Sequence, residues 1–334
     1  MGAVNSILLT GAAGFLGQEI LAAALQRGLE VQALVRDAAG RDLLVARFGD
    51  NPDLTVLQAD LCDGLPADVG AFQAVIHAAA RMKGDDADHA RDTIAASAAM
   101  LRDLKRLKIF KLVLISSMAV YDFQTPKPYD RLDESALLET QPEFRDAYCR
   151  AKLQQEALCQ DFARANGDLT ILRPGLLFDE NNVATDHLGQ RIGASFIAFG
   201  HRGQIPLLHV RNCASAAVHF AAIPSKNGGV FNLVDDDLPD LQQAIRFVGI
   251  KPALLVPWWV LGLVGAVLRP FRRFLPGLAR GPVSAARAKP FAYSNELAKQ
   301  ADWVPVKSGF GAAKRQTLQE PGRRKTPLAG GVGR

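Results

Sequence analysis

The sequence predicts an α/β protein, a doubly wound parallel sheet with a smaller C-terminal lobe. Three observations predict it. Short apolar runs alternate with helical patterns through the first half of the chain. A glycine-rich turn lies between the first run and the first helical pattern, at Thr10-Gly11-Ala12-Ala13-Gly14-Phe15-Leu16-Gly17. Hydrophobic residues make up 49% of 334 positions, ample for a buried core.

The candidate strands are Val4–Thr10, Val31–Arg36, Leu54–Ala59, Ala74–His77, Leu112–Ser116 and Leu169–Arg173. They are short, rich in leucine and β-branched residues, and apolar on both faces, as buried parallel strands are. Helical periodicity occupies Gln18–Leu25, Asp88–Leu107 and Asp146–Ala165. Strand and helix in alternation place a parallel sheet between two helical layers. After Arg173-Pro174-Gly175 the pattern loosens, and Asp179–Asn182 has the composition of a loop. Arg211–Ile223 is expected to return as a helix to the main domain, and Phe231–Leu233 as a strand. The expected division is therefore 1–175 for a nucleotide domain and 176–320 for a substrate lobe interleaved with the sheet edge. A basic tail rich in Gly and Pro, 321–334, is expected to lack order.

Composition narrows the function. The chain enters its first strand with no basic-then-apolar leader, and its four cysteines form no CxxC pair, so a cytoplasmic protein with reduced thiols is expected. Six scattered histidines supply no metal-ligand spacing, so no metal is expected. Charge is unevenly spread. Residues 251–334 hold 15 Lys/Arg against 3 Asp/Glu, while the first 250 hold 24 against 31. A basic C-terminal third fits either an anionic partner or a solvated face. Nothing in it resembles a nucleic-acid-binding module, so no nucleic-acid partner is expected.

The glycine turn has the order a pyrophosphate cradle requires. Gly11 permits the tight turn, Gly14 lets backbone approach phosphate, and Gly17 lets the helix pack against the sheet. Backbone N–H groups entering the helix, those of Phe15 and Leu16 among them, then face the anion at the positive helix end. Arg36 ends the second strand, where an arginine can pair with an adenosine 2′-phosphate. That favours NADP, with NAD the alternative if Asp37 turns inward instead. Asp60, with Leu61 after it, follows the third strand, where a carboxylate can accept from an adenine amino group; the plainer reading is a turn or helix cap. His77-Ala78-Ala79-Ala80 closes the fourth strand, and the small Ala78 and Ala79 permit close approach of backbone to a cofactor.

Tyr148-Cys149-Arg150-Ala151-Lys152 places tyrosine and lysine on one helix face. Free tyrosine, with a pKa of about 10, is a poor acid–base group at neutral pH. A neighbouring ammonium favours its phenolate and draws that value down. Ser117, after the strand ending at Ser116, can hydrogen-bond a substrate oxygen.

Taken together, TGAAGFLG, Asp60-Leu61, HAAA, SSMAVY (116–121), YCRAK and the RPG step at Pro174 resemble the extended short-chain dehydrogenase/reductase superfamily. That group includes nucleotide-sugar epimerases and dehydratases, dihydroflavonol-reductase-like enzymes and 3β-hydroxysteroid dehydrogenases. The resemblance implies a Rossmann domain, a nicotinamide cofactor, and Ser117, Tyr148 and Lys152 as the catalytic set. A homodimer is the expected assembly. Departures point away from some members. The acidic pair of the dehydratases is Ser117-Met118 here, and Gly175–Asp179 replaces the asparagine and Tyr-Gly-Pro turn common among nucleotide-sugar enzymes. The asparagine frequent on the fourth helix corresponds to Thr93 or a close neighbour. The expected activity is an NAD(P)-dependent oxidoreductase acting on a carbonyl or secondary alcohol of a small or lipid-like substrate. A nucleotide-sugar epimerase and a non-catalytic dinucleotide sensor or scaffold are the alternatives.

One segment stands apart. Ala253–Leu268 is uncharged and is followed by Arg269, Arg272 and Arg273. It is shorter than the ~20 residues a spanning helix needs. Its tryptophans and basic flank fit an in-plane helix over 253–274 at a membrane surface. A buried lid or core helix is the expectation set against it.

Overall fold

β1 (Ser6–Thr10) runs through the middle of a seven-stranded sheet, and its side chains alternate between two cores. Ile7 and Leu9 face one helical layer and Leu8 the other, all three fully buried. The computed structural model describes residues 4–180, 188–192, 195–200, 203–223, 228–260, 263, 267, 289–307 and 309–310.

The other strands of the sheet are β2 (Glu30–Val35), β3 (Leu54–Gln58), β4 (Ala74–His77), β5 (Leu112–Ile115), β7 (Leu169–Pro174) and β12 (Gly229–Leu233). Their order is β12-β7-β5-β4-β1-β2-β3, and every pairing is parallel. The order reverses between β1 and β4, which opens a crevice at the carboxyl ends of these strands. On one face lie α1 (Phe15–Gln26) and α6 (Val210–Ala222), joined to the sheet through Ile20, Leu21, Cys213 and Ala217. On the other lie α4 (Ala96–Leu107) and α5 (Ala147–Asn166), which contribute Met100, Leu104 and Cys159. Truncating one such leucine to alanine costs about 2–5 kcal/mol.

Local signals fix the helix ends. Asp37 caps α2 (Ala38–Phe48) by accepting from Gly40 N at 2.9 Å, and Asp146 caps α5 by accepting from Cys149 N at 2.9 Å. The helix predicted over 88–107 starts earlier, as α3 (Asp86–His89), because Asp85 and Asp88 form a capping box. It then passes through a π turn, Ala90–Ala95, into α4. Such widened turns occur often at functional sites.

Past β7 the chain builds a second core. β8 (Leu176–Phe178) pairs with β11 (Leu207–His209), and β9 (Gly189–Ile192), β10 (Ser195–Gly200) and β13 (Leu254–Pro257) form a three-stranded sheet. Phe178, Phe196, Leu207 and Leu241 pack together under α7 (Leu241–Val248). β6 (Arg131–Leu132) pairs with β14 (Ala292–Tyr293), just before α8 (Glu296–Gln300).

The apolar segment departs from expectation. Leu254–Pro257 is a strand, because β10 offers a free edge to which it pairs in parallel. Only from Trp258 is the described backbone helical. The expectation of a buried lid or core helix fails for the described part: Leu254, Trp259, Leu263 and Val267 are 56%, 58%, 60% and 63% exposed. The rest of 253–274 and the tail 321–334 lie outside the described residues. No helix among the described residues is long and apolar enough to cross a membrane.

Candidate active site

The glycine turn closes tightly on the sheet. Gly11 has φ +71°, and a Cβ there would stand 2.8 Å from Ala79 N. A Cβ on Gly17 would collide with the Gly11 carbonyl, so α1 could not lie this close to the turn. Gly14 is the N-cap of α1, with no side-chain cap and no acidic residue in the first turn. The leading N–H groups of an α-helix have no acceptor within the helix. Phe15 and Leu16 hold these positions in α1, and the Gly11 end of the same turn lies against the half-buried Ala78 and Ala79. A backbone cradle with a positive end and no acidic residue in the first turn of its helix fits a dinucleotide pyrophosphate.

At the carboxyl end of β2, Arg36 follows the strand directly and is exposed, its guanidinium 3.5 Å from Asp92. Asp92 also receives Arg81 at 2.5 Å and Arg91 at 2.6 Å. Burial raises its pKa, but the Arg81 hydrogen bond and the surrounding guanidiniums outweigh this and hold it below the usual carboxylate value. Asp37, the competing carboxylate, is committed to the cap of α2. Asp60 spends one oxygen on Cys62 N at 3.0 Å and the other on Arg91 at 2.6 Å. The Cys62 backbone bond in particular holds its carboxyl below the usual value. The structure thus gives Asp60 a capping and ion-pairing role, and it buries the Leu61 side chain in the core beneath α4.

Ser117, Tyr148 and Lys152 come from β5 and α5. Ser117 follows β5 by two residues and turns the chain, its Oγ accepting from Ala119 N at 3.1 Å. Tyr148 and Lys152 share one face of α5, with Nζ 6.0 Å from the centre of the phenol ring. Nζ also donates to Ile115 O at 2.8 Å, which ties α5 to the strand that leads to Ser117. Burial pulls the Lys152 ammonium down to about 8, against the raising influence of Glu156. Pro174 ends β7, buried and in register with Leu233 of β12.

Sequence reasoning missed the polar core behind this site. Glu156 receives Ser116 Oγ at 2.5 Å and pairs with Arg173 Nη2 at 2.6 Å, both partners of the pair buried. Gln155, His77 and Ser97 are also buried and joined by hydrogen bonds. The available signal was spacing: Gln155 and Glu156 fall three and four residues after Lys152, one turn along the same helix.

The NAD dependent epimerase/dehydratase family model matches residues 7–233, which takes in the whole crevice. The chain belongs to this family. With it the chain falls in the extended short-chain dehydrogenase/reductase superfamily. Among curated proteins this family member is 26% identical over 237 residues to cinnamoyl-CoA reductase 1 of Arabidopsis thaliana, covering 67% of this chain and 69% of that protein. It is 25% identical over 306 residues to 2-alkyl-3-oxoalkanoate reductase of Shewanella oneidensis, covering 81% and 74%. Among solved structures, the terminal R domain of the myxalamid biosynthetic pathway superposes with a TM-score of 0.69 at 20% identity, covering 98% of this chain and 93% of that one. The UDP-Glc/GlcNAc 4-epimerase of Campylobacter jejuni gives 0.68 at 16%, covering 94% and 98%. At these identities the superpositions establish the shared Rossmann-type fold. A further neighbour, MoeE5, was solved in complex with UDP-glucose and NAD, with a TM-score of 0.62 at 16% identity over 94% of this chain and 97% of that one.

Proposed function

We propose that this protein is an NAD(P)-dependent oxidoreductase acting on a carbonyl or secondary alcohol of a small or lipid-like substrate. The observation that carries the reading is Tyr148 and Lys152 on one face of α5, with β5 delivering Ser117. When bound, the nicotinamide supplies or accepts the hydride. The Tyr148 hydroxyl gives or takes the proton at the substrate oxygen. Lys152 keeps a positive charge beside that phenol and favours its ionised form. Ser117 Oγ hydrogen-bonds the same oxygen and steadies the charge that develops on it. Both reductases named above support reduction as the working direction.

Arg36 supports NADPH as the cofactor, since a guanidinium beside the ribose suits a 2′-phosphate. The exposed apolar residues at 254–267 and the basic sequence that follows support peripheral contact with an anionic bilayer. The family match favours a second reading, an epimerase that oxidises and re-reduces one carbon. Native mass spectrometry of the purified protein separates the two. An empty site that takes up NADPH supports the reductase. NAD carried through purification supports the epimerase, which regenerates its cofactor each turnover. Failure to bind either nucleotide overturns both.

A further inference from the structure

Gln155 follows Lys152 by one helical turn and is fully buried. Its Oε1 accepts from Lys152 Nζ at 2.9 Å. Its Nε2 lies 3.0 Å from His77 Nε2 on β4, 2.9 Å from Ser97 Oγ on α4 and 3.4 Å from Ala79 O. On the other side of the imidazole, His77 Nδ1 lies 2.7 Å from Thr10 Oγ1, immediately before Gly11. Thr10 Oγ1 also accepts from Ala79 N at 3.3 Å. One side-chain path thus runs from the lysine on α5, across β4, to the start of the glycine turn on β1.

The donors fix the polarity of this path at its Gln155 end. An ammonium only donates, so Gln155 must turn its oxygen toward Lys152 and its NH₂ toward His77. Burial, with the Lys152 charge, pulls the His77 imidazole down to about 3, so the ring is neutral and carries one proton. Ser97 Oγ donates to Thr93 O at 2.5 Å. With its own proton so placed, Ser97 Oγ is an acceptor for Gln155 Nε2 and lies 2.9 Å from His77 Nε2 as well. The Gln155 NH₂ 3.0 Å from that same Nε2 selects an accepting Nε2, which puts the ring proton on Nδ1, toward Thr10 Oγ1. The other groups around Nζ are Ile115 O from β5 and, on α5, Tyr148, Glu156 and Cys159. None of them reaches toward the glycine turn as Gln155 does.

We propose that Gln155 is a positioning residue that locks the Lys152 ammonium and, through His77, sets it as one unit with the glycine turn. The proposal rests on the role given to Lys152 above, but its first test needs neither substrate nor cofactor. Side-chain ¹⁵N spectra of His77 should show the Nδ1–H tautomer in the wild type. In Gln155→Glu the carboxylate has no proton to give, so the tautomer should switch to Nε2–H. An Nε2–H ring in the wild type, or no switch in Gln155→Glu, overturns the coupling. The second test is NADPH and NADH titration by nicotinamide fluorescence. Gln155→Leu should weaken the nucleotide that binds by about tenfold, and Gln155→Glu, which restores the lysine contact alone, by less. Equal affinity in both variants and the wild type, with only the melting temperature lowered, reduces Gln155 to a packing role and overturns the proposal. If the wild type binds neither nucleotide, the cofactor reading fails while the tautomer result still stands.

Discussion

The Lys152 ammonium stands 6.0 Å from the centre of the Tyr148 ring, one helical turn away on α5. The helix puts both side chains on one face, and the Nζ bonds to Ile115 O and Gln155 Oε1 hold the charge beside the phenol. Tyr148→Phe keeps the ring and removes only the proton carrier. It should abolish turnover while leaving cofactor affinity nearly unchanged, since acid–base groups typically contribute 10²–10⁴-fold. Steady-state kinetics beside a fluorescence titration check both halves. Retention of more than about a tenth of wild-type kcat sinks the assignment.

Arg36 meets Asp92 before it meets any phosphate. Arg36→Ala should weaken NADPH far more than NADH, because only NADPH carries the 2′-phosphate. Asp92→Asn should act oppositely and tighten NADPH, since it removes the carboxylate 3.5 Å from that guanidinium. Titrating both nucleotides against each variant decides the matter. Equal losses in Arg36→Ala, or a wild-type preference for NADH, would leave Arg36 a surface residue.

The legible parts of this molecule were those governed by local rules. β1, the glycine turn and α1 follow from an apolar run, three glycines and a 3.6-residue period, and all three fall where those signals lie. Asp146 announced the start of α5 as a side-chain cap would. Leu254–Pro257 misled because a short apolar run fits helix and strand equally; the free edge of β10, whose residues pair with it across 57 positions of sequence, chose strand. Asp60 and Arg91 pair across 31 residues, and Gln155 and His77 across 78, so no local pattern could announce either contact. His77 did leave a trace, as a polar residue closing an otherwise apolar strand.

The buried imidazole also makes acid stability testable. His77 is held down to about 3 in the fold by burial, against 6.5 as the ordinary value. The unfolded chain therefore binds the proton first as pH falls. The stability tied to the neutral ring is complete above about 6.5 and is lost progressively toward about 3. In His77→Asn this loss is absent. The variant should be less stable than wild type at neutral pH, and the gap should narrow as the solution is acidified through that window. Denaturant unfolding of both proteins at several pH values measures the gap. A constant or widening difference contradicts a neutral buried His77.

Leu254, Leu255, Trp259, Leu263 and Val267 expose apolar surface, and the sequence that follows them carries Arg269, Arg272 and Arg273. Burying apolar area contributes roughly 25 cal/mol per Å², and each basic residue near anionic lipid adds about 1 kcal/mol. The protein should therefore pellet with phosphatidylcholine vesicles containing phosphatidylglycerol, and less with phosphatidylcholine alone. Salt should weaken the binding, because the electrostatic share is screened within a Debye length. Leu254→Ser/Trp259→Ser should abolish it without loss of fold, since both side chains are more than half exposed. Unchanged circular dichroism and melting temperature verify that the doubly substituted protein is folded. Absence of pelleting in the wild type, or equal pelleting in this variant, removes the membrane from the account. The surface then belongs to the protein's own substrate lobe, and an apolar substrate becomes the occupant to test.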